Sequence, residues 1–447
     1  MSREASSKVR HTAKDTFDRA RLRTTSAEQT VVTSPKPSIV ASTPGPARSA
    51  YRARYGREVT SNPTSRDYNK ASVLDVVLAR APLTRNELIN LTGLSKATVS
   101  RAVEELRADG FVIDGGVDEV VGRGRRSTYL DVPGTTGHVV GISFGAQTTC
   151  ALVTDLRGRE VHHVTVPTED HDEVRTAAAW LVGLLAKAGE SAQGPLRQVV
   201  AAVPGRVRNG TEIFGPAESM KIFAGSGLQR AIEDLINAPV LLDSDANASL
   251  LGILTNDATI RNAALFSLST ILNFASCTDH ELARGRTPAF GDIGVLSSGV
   301  DDEILDELLS TNGLLRFAHG RGLYLERVED LWLEPHDEAP RAEVLQAFTT
   351  AIVTAVSVVA VMLDPESVYF VGRLRPLVEE VLPEVRRRLD QSLPAVPRIE
   401  TVTQVFGLST ARGAVYACLT MAQDRLRDTV LGARRQSRPT ERSAPAF

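Results

Sequence analysis

The chain runs to 447 residues, 42% of them hydrophobic, with a formal net charge of −3. That is enough chain and apolar content for more than one buried core, and the near balance of charge excludes a histone-like polycation. Cys150, Cys277 and Cys418 are too scattered for a disulfide framework or a cysteine metal site, and the longest apolar stretch, Ala351 to Leu363, falls short of the roughly 20 residues of a membrane span.

Charge is unevenly placed. Residues 1–68 hold 13 Lys/Arg against 6 Asp/Glu, and the last 26 residues hold 6 Arg against 3 acids. Basic ends on a near-neutral body suit contact with a polyanion, or simply keep tails soluble. The first 68 residues are rich in Ser, Thr, Arg and Pro, with Pro35, Pro37, Pro44 and Pro46 and no apolar period. They read as a disordered basic arm. No apolar core of a secretion signal is present, so the expected location is cytoplasmic and nucleoid-associated, with no membrane partner.

Order is expected from Asn69. Val73, Leu74, Val76, Val77 and Leu78 mark a first helix that ends before Pro82. Thr84 and Glu87 form a capping-box pattern for a second helix burying Leu88, Ile89 and Leu91. Gly93 allows a tight turn, and Ser95 caps a third helix from Lys96 to about Asp109. At 100° per residue Val99, Ala102, Val103 and Leu106 share its buried face. Lys96, Ala97, Thr98, Ser100 and Arg101, with Ser95 at the cap, then face outward in the first turns. Short polar and cationic side chains placed there meet base edges and phosphates in a recognition helix. Phe111–Asp114 and Thr128–Val132 read as a hairpin whose tip carries Gly122, Arg123, Gly124, Arg125 and Arg126. Arginines at a flexible tip meet phosphates or a narrow minor groove. Residues 69–133 thus read as a winged helix-turn-helix that binds double-stranded DNA. A helical interaction module with a solvated arginine loop is the plainer alternative.

After Pro133 strands and helices alternate, the pattern of an α/β fold. Strands are expected at His138–Val153, in a pair, then Val161–Val166, Val199–Val203, Val240–Leu242 and Val368–Val371. Helices are expected at Val174–Ala188, Gly227–Ile236, Glu303–Leu309, Leu314–Ala318, Glu343–Leu363, Val378–Leu389 and Leu408–Asp424. The Glu343–Leu363 segment is apolar on most sides, through Val353, Val356, Val358, Val359 and Val361, and reads as a buried scaffold.

The ordered set of motifs resembles the ROK family of repressors, open reading frames and sugar kinases, and its repressor branch in particular. The motifs are the winged helix with its GRGRRS wing, VVGISFGAQTTCALVTDLRGREV, AAVPGRV, VLLDSDANASLLG, FGDIGVL, and Tyr369-Phe370-Val371-Gly372. Together they span about residues 69–425. The resemblance implies a two-lobed actin/hexokinase-like body. Its first lobe is expected at 134–250, closed by a helix at 407–425, its second at 251–406, and a disordered basic tail at 426–447.

The departures from the family pattern are as informative. Where family kinases carry Asp-x-Gly-Gly-Thr for ATP phosphates and magnesium, this chain reads Ser143-Phe144-Gly145-Ala146-Gln147. The carboxylate is gone, and Phe144 is expected to crowd the turn. The second phosphate loop aligns with Leu268–Phe274, which has no glycine. The family's Asn-Asp sugar pair aligns with Ser244 and Asp245, and its Glu-x-Gly-His with Asp292-Ile293-Gly294-Val295. Ser297 to Ser310 offers no Cys or His for the family zinc site. The expectation is no cofactor, no metal and no catalytic residue. A ligand cleft would be lined by Pro204, Gly205, Ser244, Asp245 and Asp292; for Asp245 the alternative is a helix cap at Ala246.

The sequence thus points to a transcriptional regulator, a repressor, acting as a homodimer or higher homo-oligomer on a DNA operator under a small-molecule effector. A ROK-type sugar kinase with an appended regulatory winged helix is the second reading. A partner-binding scaffold with vestigial DNA binding is the third.

Overall fold

The computed structural model describes residues 63–117, 128–216, 218–257, 259–285, 287, 289–333, 338–403 and 407–432. The first helix, α1 (Ser65–Arg80), begins four residues before the expected start. The cause is local. Thr64 accepts from the Asp67 amide, and Asp67 reaches back to the Thr64 amide at 2.8 Å, closing a capping box. The expected arm boundary at residue 68 therefore falls inside a helix.

A short strand β1 (Leu83–Thr84) precedes α2 (Arg85–Thr92), which has the expected Thr84–Glu87 capping box. Of its three expected buried residues, Leu88 alone is fully buried, while Leu91 is 53% exposed. An eight-residue helix shows the small core only one narrow face. Gly93, at φ +67°, turns the chain into α3 (Lys96–Ala108). The expected face, Val99, Ala102, Val103 and Leu106, is buried. Strands β2 (Ile113–Val117) and β3 (Thr128–Asp131) form the hairpin, and β1 adds to β3 in a three-stranded sheet. The tip at 118–127, including Arg123, Arg125 and Arg126, lies outside the described residues.

The first lobe holds β4 (His138–Phe144), β5 (Thr148–Asp155), β6 (Glu160–Pro167), α4 (Val174–Gly189), β7 (Leu196–Val203), β8 (Arg206–Arg208), β9 (Glu212–Phe214), α5 (Gly227–Glu233) and β10 (Val240–Ser244). A helix α6 (Asp245–Leu254) leads to the second lobe. That lobe holds β11 (Ala263–Leu268), β12 (Leu272–Thr278), β13 (Glu281–Leu282), α7 (Leu305–Leu309), α8 (Thr311–Gly320), α9 (Asp330–Leu333), α10 (Glu338–Leu363), β14 (Ser367–Val371), α11 (Arg375–Ser392) and β15 (Arg398–Thr401). The last described helix, α12 (Leu408–Val430), returns to the first lobe.

The two five-stranded sheets have one topology. In each, three antiparallel strands are followed by two parallel ones, in the orders β6-β5-β4-β7-β10 and β13-β12-β11-β14-β15. The central strands of both sheets are buried on both faces, which explains their continuous apolar runs. In the first, Val140, Ile142 and Phe144 pack against α4 and α5, while Val139, Cys150 and Leu152 pack under α12. In the second, Phe266 and Phe370 face the helical layer, while Leu265 and Tyr369 face α6. Contrary to the expectation from the sequence, Phe144 does not crowd its turn. It points into the core, edge-on to Phe223 at 5.3 Å between ring centroids.

Two other expectations are corrected. In α10 one stripe, including Val344, Phe348, Ile352, Ala355 and Val359, is the core of the second lobe. Its last turns leave Val358, Val361 and Met362 exposed, the last two by more than 70%. A helix apolar all round carries no periodic signal of which face is covered. The closing helix α12 continues past its expected end, because Leu426, Val430 and Leu431 are buried in one cluster with Val73, Leu74, Val77 and Leu78 of α1.

Candidate DNA-binding face and interlobe cleft

The outward face of α3 is built by its cap. The Ser95 hydroxyl accepts from the Thr98 amide at 3.2 Å and lies 2.8 Å from the Thr98 hydroxyl, fixing the first turn. Lys96, Ala97 and Arg101 are exposed, and Thr98 and Ser100 are half-buried. Arg101 forms no ion pair among the described residues. The acids that follow on α3 are held by basic side chains: Glu104 by Arg85 at 2.7 Å, Glu105 by Arg66 at 2.6 Å, and Asp109 by Lys70. Those pairs draw the negative charge toward α1 and α2 and leave the α3 N-terminus cationic. Arg66 and Asn69 of α1 share a shallow groove with Ala97, Thr98 and Arg101. Sequence reasoning missed both; Arg66 lay in a Ser/Thr/Arg-rich stretch with no helical period.

The winged helix is anchored to the body. The Arg157 guanidinium, 10% exposed, donates to both carboxylate oxygens of Asp131 at 2.9 and 3.0 Å. Burial lowers the Arg157 pKa, and Asp131 opposes that. Arg427 of α12 pairs with Asp75 of α1 at 3.0 Å. Below this joint, α12 crosses α6 at glycine contacts. A Cβ on Gly413 would land on the Ala248 carbonyl, and one on Gly252 on the Ser409 carbonyl.

The interlobe cleft lies beyond the carboxyl ends of β7 and β10, the usual place for a ligand in open α/β sheets. It is open to solvent, and the space between its walls, with the solvent at its mouth included, is about 730 Å³. Gly205, Ser244 and Asp292 line it, together with Arg206, Arg208, Asn247, Asn273, Arg284 and Phe290. Pro204 is buried behind the wall, and Asp245 is half-buried beside it. The cap of α6 is Ser244, whose hydroxyl accepts from the Asn247 amide at 3.1 Å. Asp245 is instead the first helical residue. It accepts from Asn273 Nδ2 and from the Ala246 amide, each at 2.8 Å. Burial pushes its carboxyl up to about 7, against those two hydrogen bonds. Asp243 pairs with Arg284 at 2.7 Å and accepts from Asn247 Nδ2 at 2.8 Å, and Asp292 pairs with Arg206. Sequence reasoning missed Arg206, Arg284 and Asn273, because their partners lie on the other lobe.

Two amides at the phosphate-loop positions are engaged. Gly145 donates to the Thr148 carbonyl at 3.2 Å and Ser269 to the Ile271 carbonyl at 3.4 Å, inside tight hairpins. Ser143 packs beside Gly407 at the start of α12. These residues do not fit a metal-bound nucleoside triphosphate: the Gly145 and Ser269 amides are spent, and Ser143 stands where the family carries a carboxylate. Among the described residues, no three His, Cys, Asp or Glu side chains are grouped to hold a metal ion.

The ROK family model matches residues 139–417, and the MarR family model matches residues 67–123. The chain is 24% identical to the xylose repressor of Caldicellulosiruptor bescii over 296 residues, 62% of this chain and 73% of that one. A crystal structure of a ROK family transcriptional regulator, a homologue of the E. coli MLC protein, superposes with a TM-score of 0.63 at 16% identity. It covers 82% of this chain and 98% of that one. The ROK hexokinase of Thermus thermophilus superposes with a TM-score of 0.53 at 21% identity, over 64% of this chain and 99% of that one, without a counterpart for the remaining third. The chain therefore belongs to the ROK family, in the form, a winged helix ahead of the two-lobed body, of its DNA-binding transcriptional regulators.

Proposed function

We propose that the chain is a repressor whose two-lobed body has lost kinase chemistry and controls a pair of winged helices. Two protomers associate through their bodies and present two α3 helices to a pseudo-palindromic operator. Ser95, Lys96, Ala97, Thr98, Ser100 and Arg101 meet the major groove, and Arg123, Arg125 and Arg126 meet the flanking backbone or minor groove. A small, sugar-like effector enters the interlobe cleft at Gly205, Ser244 and Asp292, near Pro204 and Asp245, and shifts lobe closure. The coupling passes along α6 and α12 to α1. The domain limits that follow are a winged helix from Thr64 to residue 133, two lobes meeting near residue 250, and α12 as the closing element.

The observation that carries this reading is the cationic, unpaired start of α3 on a head whose core is continuous with the body. Genome-wide occupancy supplies the operator. Fluorescence anisotropy on that operator should then show Arg101→Ala weakening binding by about 1–3 kcal/mol, roughly tenfold to a hundredfold. An unchanged affinity refutes the assignment of α3. The kinase alternative is favoured by the shared body fold. Purified protein that turns over ATP with any hexose establishes it instead.

A further inference from the structure

Helices α1 and α3 run side by side in the same direction. Arg66 of α1 donates to Glu105 of α3, and Lys70 to Asp109, and both pairs are 39 residues apart in sequence. In an antiparallel pair the partner number would fall along α1, whereas here it rises in step. The same offset carried upstream brings position 62 level with Arg101, in the outward-facing first turns of α3.

Helix α1 begins just short of that level. Its cap Thr64 has extended backbone, at φ −79° and ψ 163°, and the capping box with Asp67 closes the first turn. Thr64, Ser65 and Arg66 are exposed. Arg66 and Asn69 share a groove with Ala97, Thr98 and Arg101. The other side of α1 is the covered one. Val73, Leu74, Val77 and Leu78 are buried with Val430 and Leu431 of α12, and Asp75 pairs with Arg427. The chain therefore enters the head beside the start of α3, away from the joint with the body.

Most charges at that entry are already matched. Arg66 is held by Glu105, Lys70 by Asp109, and Asp67 is spent on the cap. Cationic charge beyond Lys96 and Arg101 has to come from upstream, and the sequence places it there. Arg48, Arg52, Arg54 and Arg57 fall between Gly45 and Asn62, with Glu58 as the one acid in that stretch. These positions lie outside the described residues, but chain length bounds their reach. At ~3.3 Å per residue and ~3.4 Å per base pair, Arg57 reaches at most about 6 base pairs from the start of α1, and Arg48 about 15.

We infer that the segment Arg48–Arg57 is a second DNA contact, which leaves α1 beside Arg101 and tracks the phosphates flanking the site under α3. Arginines on phosphates position a protein without reading sequence. The inference rests on the reading of α3 as the recognition helix. Anisotropy of the full chain on its operator tests it, with duplexes carrying about 15 flanking base pairs on each side or none. On the long duplex the quadruple variant R48Q, R52Q, R54Q, R57Q should bind at least about tenfold more weakly than the parent at moderate salt. Its slope of log affinity against log salt should be shallower by about 3. Trimming the flanks should cost the parent the same factor and the variant nothing, so that both bind the short duplex equally. Removing the same charge from the other basic end, as R434Q, R435Q, R438Q, R442Q, should leave binding unchanged. Parental affinity and slope in the first variant, a loss as large on the short duplex, or an equal loss from the tail variant overturns the inference. Arg101→Ala in parallel separates the two readings. If it changes nothing while the first variant loses the flanks, the arm stands and the assignment of α3 fails. If it weakens both duplexes while the first variant behaves as the parent, the reverse holds.

Discussion

Asp245 shows how burial sets the protonation of one side chain. Its carboxyl, raised to about 7, titrates within the working pH range. A carboxyl whose folded pKa lies above its unfolded value stabilises the fold fully below the unfolded value, near 4. That contribution is lost as pH rises through about 7. Asp245→Asn keeps an acceptor for Asn273 without a titrating charge. The variant should therefore gain stability relative to the parent between pH 5 and pH 8, by roughly 1–4 kcal/mol. Denaturant titrations at the two pH values would read this, and parallel curves would show that Asp245 does not titrate there. Residues of this kind were only partly legible in the sequence. Position 245 could be named because the family's Asn-Asp pair aligns with the contiguous Ser244-Asp245. Arg206 and Arg284 could not, because each acquires its partner only when two lobes close over it.

Elements were legible where their signals are local. Helix α3 followed from its cap and its 100° periodicity, and α2 from its capping box. Strand β1 is two residues long and exists only because β3 pairs with it, so nothing in Leu83-Thr84 announced it. The end of α12 was illegible for a related reason, since Leu426, Val430 and Leu431 are buried in one cluster with residues of α1 that are remote in sequence, whereas the start of α1 is set by its own capping box. The α6–α12 crossing is the tightest such dependence. Gly413→Ala would place a methyl carbon on the Ala248 carbonyl and force the two helices apart. Overpacking of this kind costs about 1–3 kcal/mol or more. The loss should appear in urea unfolding of the whole chain. Because α12 also carries Arg427 against Asp75, operator affinity should fall with it. A variant as stable as the parent would show that the crossing can relax.

At the scale of the molecule, the winged helix does not sit on a free tether. Its core residues form one cluster with the underside of the first sheet and with most of α12. The Arg157–Asp131 and Arg427–Asp75 pairs flank that cluster. Such a joint passes movement of the body to the head as rotation of a packed surface. The duplicated sheet order places the cleft and the joint at two ends of the α6–α12 layer.

That layer has a consequence for how the protein is made. The winged helix is synthesised early, and the helix that completes its apolar underside follows only after the whole two-lobed body. At about 5–20 residues per second, on the order of tens of seconds separate the two. Throughout that interval the part of α1 that packs on α12 has no partner. A chain stopped early is therefore left without a finished head and cannot occupy the operator in place of the full protein. Truncation after Gly407 should yield protein that is susceptible to limited proteolysis within 64–133 and does not compete for operator in anisotropy assays. A truncated chain that competes on equal terms would show that the head folds without its last helix.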